Sequence, residues 1–227
     1  MDIRWYGQSA FLLTGEKKSV FVDPFGDLAS MASRGIEFRY PLIEGVRADL
    51  VLVTHEHFDH NAVDAIAGEP TVLRAPGTHE SPLGEIVGIA SEHDSSAGTQ
   101  RGPNTIFRFT LDGLTVAHFG DFGQPGLRVE QRSALGDLDV LFLPVGGGPT
   151  IGGAAAAAVV RELRPRLVVP MHCRTAAINF LEPPDDFLTA LGTPVTRLDT
   201  NGGNADALLG TSSEPTVALL APPLPRA

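Results

Sequence analysis

The stretch HEHFDH at residues 55–60 places three imidazoles and the carboxylate of Asp59 within six positions, one residue after the apolar run LVLV at residues 50–53. This run is continuous and rich in β-branched residues, which predicts a strand buried on both faces. Asn61 follows as a candidate N-cap for a helix over residues 62–66. The HEHFDH stretch is therefore predicted to form a tight loop at the carboxyl end of a central strand, where open α/β sheets bind their ligands.

The donor groups of this loop suit a metal site. Neutral imidazole and carboxylate are common ligands of zinc, manganese and iron. Groups at the first, third, fifth and sixth positions of a loop do not converge easily on one ion, but they can serve two neighbouring ions. We expect His55 and His57 to face one ion, and Asp59 and His60 to face the other. The alternative is a polar turn without metal, although buried polar clusters need partners.

Other residues of the same chemical type follow predicted strands. His93, Asp121 and His172 each stand just past a strand terminus, where side chains from several strands meet. His93 could also be a capping or loop residue. His118 lies within a predicted strand, which indicates a core or supporting role, and His79 lies in a predicted loop, which indicates a surface or substrate-rim position.

The rest of the chain alternates short strands, turns and a few helices. Strands are predicted at residues 3–6, 10–14, 19–22, 50–53, 71–75, 85–91, 105–111, 114–117, 139–144 and 167–170. Helices are predicted at residues 62–66, 127–135 and 151–163, and a loop at residues 76–80. Residues 25–48 form an unusually long connection, which is typical of binding loops and lids.

Composition limits the class of protein. A chain of 227 residues with 43% hydrophobic content can bury one substantial core, so a single domain over residues 1–227 is expected. The formal net charge of −10 argues against a nucleic-acid partner. The apolar runs are too short to span a bilayer, no signal-peptide pattern opens the chain, and Cys173 is the single cysteine. We expect a cytoplasmic protein that acts on a small molecule, as a monomer or a homo-oligomer.

The HEHFDH stretch resembles the His-x-His-x-Asp-His signature of the metallo-β-lactamase superfamily. With GDFG at residues 120–123, DVLFLPVGG at 139–147 and PMHCRT at 170–175, the sequence is similar to the compact branch that contains L-ascorbate-6-phosphate lactonase. This resemblance implies an α/β (α+β) fold, a four-layer αββα sandwich with the metal site at one edge. It covers most of the chain, and it is more specific for the superfamily than for the substrate.

The resemblance also implies a ligand set for two divalent ions, with Zn²⁺ expected and Mn²⁺ or Fe²⁺ as alternatives. The first ion would be held by His55, His57 and His93, the second by Asp59, His60 and His172, and Asp121 would bridge both. A metal-bound hydroxide would then attack a small ester, lactone or phosphodiester, and Asp59 would accept a proton or orient the nucleophile.

Two residues near the expected ligands have roles that are open. Asp23 resembles a carboxylate that orients a metal-bound imidazole, but an Asp before Pro also initiates turns. Arg174 is a candidate for binding an anionic group of the substrate.

Two other functions remain as alternatives. The same fold hosts iron-dependent oxidoreductases, but the di-iron reductases usually carry Glu at the position of His57 and a fused flavin domain. A non-catalytic metal-binding protein is disfavoured because every expected ligand is present.

Overall fold

The structure is a computed structural model that describes residues 1–210 and 214–224. Its strands are β1 Asp2–Gly7, β2 Ala10–Thr14, β3 Ser19–Val22, β4 Leu50–Leu52, β5 Thr71–Leu73, β6 Gly77–Ser81, β7 Gly84–Glu92, β8 Pro103–Leu111, β9 Leu114–His118, β10 Val140–Pro144, β11 Leu167–Met171, β12 Val195–Arg197, β13 Gly202–Asn204 and β14 Thr216–Leu219. Its α-helices are α1 Val129–Leu135, α2 Gly153–Leu163, α3 Asp185–Leu191 and α4 Ala205–Leu208. Within the described ranges, none of these helices is long and apolar enough to cross a membrane.

The strands form two sheets. The first has six strands in the order β13-β1-β2-β3-β4-β5, and the second has eight in the order β12-β14-β11-β10-β9-β8-β7-β6. In the second sheet, β9, β10 and β11 run parallel, whereas β7 and β9 each pair antiparallel with β8. The chain therefore leaves β7, β9, β10 and β11 at the same edge of this sheet.

The two sheets pack face to face over one shared core, and the central strands are buried on their outer faces too. In β4, Leu50 and Leu52 belong to the core between the sheets, whereas Val51 packs in the layer outside the first sheet. In β10, Phe142 faces inward and Leu141 faces outward in the same way. Burial on both faces explains why these strands appear in the sequence as unbroken apolar runs.

The outer layers of the sandwich differ. Helices α2 and α3 cover the second sheet, with Val160 and Phe187 among the buried contacts. Over the first sheet lies an irregular segment that contributes Phe25, Phe38 and Tyr40 to a third buried cluster. The predicted α/β sandwich is confirmed, and the long connection over residues 25–48 supplies part of its outer layer.

The helix predicted over residues 62–66 is wrong. The structure has only a 3-10 turn there, Val63–Ala65, without a side-chain cap. Asn61, the expected cap, donates its amide to the carbonyl and carboxylate of Glu56, at 3.2 Å each. The side chain of Asn61 therefore binds within the HEHFDH loop and does not cap a helix. The β-branched Val63 also adds little helix propensity, so no α-helix forms.

The loop predicted over residues 76–80 is also wrong, because strand β6 forms there as an antiparallel partner of β7. This strand lies at the edge of the sheet and is exposed or half-buried along its length, so it lacks an apolar alternation that a sequence could reveal. Helix α1 begins at Val129, two residues later than predicted.

Candidate metal centre

A buried carboxylate holds the HEHFDH loop in place. Asp23 follows β3 directly and accepts hydrogen bonds from the backbone N–H and the hydroxyl of Thr54, at 2.8 and 2.7 Å. Its Oδ2 also lies 2.9 Å from Nδ1 of His60. This contact fixes the orientation of the His60 ring and leaves its Nε2 for another partner. Asp23 thus contacts the His60 ring as an orienting carboxylate would. It also lies at the turn that follows β3, so its position fits both roles.

A first group of donor atoms consists of three imidazoles. One nitrogen each from His55, His57 and His93 lies within 4.8 Å of the others. His93 leaves the end of β7, and its Nδ1–H donates to the carbonyl of Pro149 at 3.0 Å, so its Nε2 is available to the cluster. The hydroxyl of Thr54 lies 3.1 Å from Nδ1 of His55 and restrains that ring in the same manner.

Asp121 lies between this group and the imidazoles of His60 and His172. Its Oδ2 is 3.2 Å from Nε2 of His93. The same oxygen is 3.1 Å from Nε2 of His172 and 3.4 Å from Nε2 of His60. The other oxygen, Oδ1, accepts a hydrogen bond from the hydroxyl of Ser9 at 3.0 Å. One carboxylate oxygen is therefore anchored, while the other faces imidazoles from three different loops.

The position of Asp121 depends on a glycine. Gly120 has φ of +53°, and a Cβ there would lie 2.5 Å from the side-chain oxygens of Asn104 and Thr54. Asn104 Oδ1 also accepts a hydrogen bond from the backbone N–H of Asp121 at 3.1 Å. A side chain at residue 120 would displace the loop, so the Gly-Asp pair is a steric requirement of this site.

His172 follows β11 in a left-handed conformation, with φ of 48°. Its carbonyl accepts a hydrogen bond from the backbone of Gly146 at 3.1 Å. A Cβ at residue 146 would lie 2.2 Å from that carbonyl oxygen, so the glycine permits the close approach of two loops. Asp59 completes the cluster, since its Oδ2 lies 3.6 Å from Nε2 of His60.

Burial and neighbouring charges set the protonation of the cluster. Burial, assisted by His60, lowers the pKa of His55, and burial with His93 lowers that of His57. Burial would also lower the pKa of His60, but the carboxylates of Asp121, Asp59 and Asp23 outweigh it and raise this pKa well above its ordinary value. Burial would raise the pKa of Asp121, but His172 and His60 hold it well below its usual range. His55 and His57 are thus neutral imidazoles and Asp121 is an ionised carboxylate, which are the forms that bind metals, whereas His60 carries a proton that a bound ion would displace.

The donor set fits divalent ions. Nε2 of His60 is fully buried and makes no hydrogen bond with any residue that the structure describes. Two groups of three donors lie within 4.8 Å, and they are His55, His57 and His93, and His55, His60 and Asp121. A buried imidazole nitrogen without a hydrogen-bond partner costs free energy unless another group, such as a metal, binds it.

A cavity of about 410 Å³ opens over the cluster. Among the residues that line it are Asp59, His93, Asp121 and His172. This volume is within the range of small-molecule sites. Asp59 is the more accessible of the two cluster carboxylates, since its side chain is 18% exposed against 4% for Asp121.

Three residues considered in the sequence lie outside the cluster. His79, on β6, contacts the carbonyl of Ala75 at 2.9 Å. His118 is fully buried beside Phe142, and its Nε2 donates to the carbonyl of Ser9 at 3.0 Å. Arg174 donates its Nε–H to the carbonyl of Leu181 and does not line the cavity.

Sequence reasoning missed two residues at the site. Ser9 supports Asp121 through a contact between residues that are 112 positions apart, and no local pattern reveals such a contact. Arg101 lines the cavity. The sequence does contain a signal for its position. Asp94 before Ser95-Ser96 favours a turn in which the Asp side chain binds the backbone that follows, and this backbone includes Arg101.

Comparisons with known proteins find related sequences and structures. Residues 2–172 match the family model of the β-lactamase superfamily domain. A metal-dependent hydrolase from Thermococcus kodakarensis is 32% identical over 224 residues, covering 85% of this chain and 92% of the relative. One from Pelotomaculum thermopropionicum is 32% identical over 204 residues, covering 77% of this chain and 85% of the relative.

A solved structure is also similar to this chain. It is a Thermotoga maritima protein named as a candidate Zn-dependent hydrolase of the metallo-β-lactamase superfamily. It is 30% identical, superimposes with a TM-score of 0.75, and covers 96% of this chain and 97% of its own. The family model alone spans most of the chain. The relatives match this chain over most of their own lengths. The chain belongs to the metallo-β-lactamase superfamily and, within it, to a family of metal-dependent hydrolases.

Proposed function

We propose that the protein is a dinuclear hydrolase that binds two divalent ions, Zn²⁺ in the first place and Mn²⁺ or Fe²⁺ as alternatives, and cleaves a small ester, lactone or phosphodiester. The observation that carries this proposal is the position of Asp121. Its Oδ2 lies 3.2 Å from Nε2 of His93, which is grouped with His55 and His57, and 3.1 and 3.4 Å from Nε2 of His172 and His60. A carboxylate in such a position can serve two ions at once.

We assign the ligands as the resemblance to the superfamily implies. His55, His57 and His93 would hold the first ion, Asp59, His60 and His172 would hold the second, and Asp121 would serve both. Asp23, Thr54 and the carbonyl of Pro149 bind the remaining nitrogens of three of these rings, which keeps the rings oriented before any ion arrives.

Bound divalent ions lower the pKa of a coordinated water from about 16 to roughly 7 and so supply hydroxide near neutral pH. The protein's own groups do the rest. Asp59 borders the cavity and is partly accessible, so it accepts the proton or orients the nucleophile. The buried walls behind Asp121 and His172 exclude bulk water from the far side of the cluster. Ser9 fixes the Asp121 carboxylate, so that its charge stays directed at the donor groups.

Metal analysis and turnover together test this proposal. Protein purified without chelator should contain about two transition-metal ions per chain, and Asp121→Asn should lose metal and about 10²-fold or more in hydrolysis of a panel of lactones, carboxyl esters and phosphodiesters. Asp139→Asn is a matched control, since Asp139 lies outside the cluster and binds Arg166 and a backbone amide instead. Trace metal in the wild type, or full metal and turnover in Asp121→Asn, would contradict the proposal.

A further inference from the structure

The cavity over the donor cluster has one apolar wall. The aromatic rings of Phe38, Phe58 and Phe180 line it, together with Met31 and Ile36. Phe58 is 51% exposed and Phe180 is 40% exposed, which is unusual for residues of this size next to a polar cluster. An exposed apolar patch at the mouth of a cavity marks a surface that binds an apolar group.

This wall is a built feature because two distant segments are joined there. Phe38 forms a β-bridge with Ile178, and the backbone N–H of Arg39 donates to the carbonyl of Ala177 at 2.8 Å. Phe38 itself packs edge-on against Phe25 in the outer layer of the first sheet. The backbone on either side of the apolar wall is therefore held by the fold and does not depend on a ligand.

Arg101 lines the same cavity. The loop that carries it wraps around the carboxylate of Asp94, which accepts the backbone N–H groups of Ser96 and Gly98 at 2.7 and 3.0 Å. The same carboxylate accepts the backbone N–H groups of Gln100 and Arg101 at 3.1 and 2.8 Å. The backbone of Arg101 is thus fixed beside the cavity.

Within the part of the chain that the structure describes, no carboxylate pairs with the side chain of Arg101. Its guanidinium makes no hydrogen bond or ion pair with the residues that the structure describes, although the chain is strongly acidic. Nearby arginines differ, because Arg74 pairs with Glu56 and Arg128 pairs with Glu92. An unpaired guanidinium on a fixed backbone presents a planar fork of donors that suits a carboxylate or a phosphate.

We propose that the cavity selects an amphiphilic anion, with an apolar, preferably aromatic, group against Phe58 and Phe180 and a carboxylate or phosphate group bound by Arg101. This inference names the substrate class of the site and rests on the proposed function. The cavity volume of about 410 Å³ accommodates a small molecule. A docked protein is the less suitable occupant, since stable protein interfaces bury more than about 1,000 Å².

Binding of unreactive probes tests the inference without turnover. The probes are 4-phenylbutyrate, its primary amide, and 2-phenylethyl phosphate, titrated by calorimetry into the metal-containing protein. We expect the wild type to bind at least one of the two anions about tenfold more tightly than the amide, which corresponds to one charge-assisted contact. The anion that gains more identifies carboxylate or phosphate as the preferred group.

Arg101→Gln should reduce the affinity for that anion about tenfold and leave the amide unchanged, whereas Arg101→Lys should restore part of the loss. Arg74→Gln is the matched control, because Arg74 is already paired with Glu56 and does not line this cavity, and it should behave as wild type. Phe180→Ala should weaken all three probes alike, by about fivefold. An exposed position makes Arg101→Gln compatible with folding, which circular dichroism checks.

The outcomes separate this inference from the proposed function. If Arg101→Gln binds the anions as tightly as the wild type does, the anions are bound by the metals or elsewhere and the inference is overturned. Equal affinity of the wild type for anions and amide, or no binding of any probe, overturns it too. The expected binding pattern in a protein that holds no transition metal would instead contradict the proposed function and leave this inference standing.

Discussion

The Oδ2 oxygen of Asp23 lies 2.9 Å from Nδ1 of His60, and both side chains are completely buried. Asp23 belongs to the end of β3 and His60 to the loop after the neighbouring parallel strand β4, so two adjacent strand ends share one hydrogen bond. The same carboxylate binds Thr54, the residue immediately before the HEHFDH stretch. Asp23 therefore links the position of the loop to the orientation of one of its imidazoles.

We predict that Asp23→Asn lowers the affinity for one metal ion about 10- to 100-fold, because the ring of His60 loses the partner that orients it and increases its basicity. Competition with a chromophoric chelator measures this affinity. Asp49→Asn is the control, since Asp49 also binds a backbone N–H and a serine hydroxyl, but its partners are Ser19 and Lys18, at the opposite end of β3 from Asp23. Unchanged affinity in Asp23→Asn would show that the carboxylate serves only the turn.

We predict that Ser9→Ala destabilises the protein by about 1–3 kcal/mol, because the buried Oδ1 of Asp121 loses its hydrogen bond. Turnover should fall as well, while the ligand atoms themselves are all retained. Thermal unfolding and kcat measure the two effects. Ser19→Ala removes a comparable serine–aspartate contact at 3.2 Å on the partly exposed turn near Asp49 and should leave turnover at the wild-type level. A normal kcat in Ser9→Ala would mean that Asp121 needs no support on that side.

Much of the fold was predictable because its central strands are buried on both faces. Runs such as residues 50–53 and 140–144 carry no polar residue on either face, and their parallel pairing brings the residues that follow them to one edge. The candidate ligands could therefore be located at strand ends, whereas their division between two ions was implied by the resemblance to the superfamily. Their convergence on Asp121 is a property of the three-dimensional structure, since the contacts join loops that are far apart in sequence.

Features that depend on distant pairings could not be predicted. Strand β6 is polar and lies at a sheet edge, so it is recognisable as a strand only from its pairing with β7. The apolar wall of the cavity needs the bridge between Phe38 and Ile178, which no periodicity encodes. Arg174 was a candidate for binding an anion because it stands near His172 in sequence, but it turns away to a backbone carbonyl, while Arg101 stands at the cavity.

We predict that His118 makes stability depend on pH in the mildly acidic range. Burial lowers its pKa to about 4; Asp23 and Asp121 oppose this shift, and His60 favours it. The ring accepts the backbone N–H of Gly120 at Nδ1 and donates from Nε2, so it has no place for a second proton. The unfolded chain binds a proton at about pH 6.5, whereas the folded chain resists protonation to about pH 4.

The stability contributed by neutral His118 is therefore fully present above about pH 6.5 and is lost as the pH falls towards 4, by up to about 3 kcal/mol. Urea unfolding at several pH values, with equal metal supply, measures it. His118→Gln should be less stable at pH 7 and should lose less stability on acidification than the wild type. Parallel pH profiles for the two proteins would exclude this role of the ring.

We predict finally that alanine variants of histidines inside the cluster lose metal, whereas an alanine variant of a histidine outside it does not. His93→Ala and His172→Ala should each lose about one ion per chain, because each removes a donor nitrogen that faces Asp121 at 3.2 or 3.1 Å. His79→Ala is the matched control and should keep both ions, since its ring contacts only the carbonyl of Ala75 on an edge strand. Elemental analysis and thermal unfolding of the three variants under the same metal supply measure the effect. If His93→Ala keeps the wild-type metal content while His79→Ala loses an ion, the first donor group is assigned incorrectly.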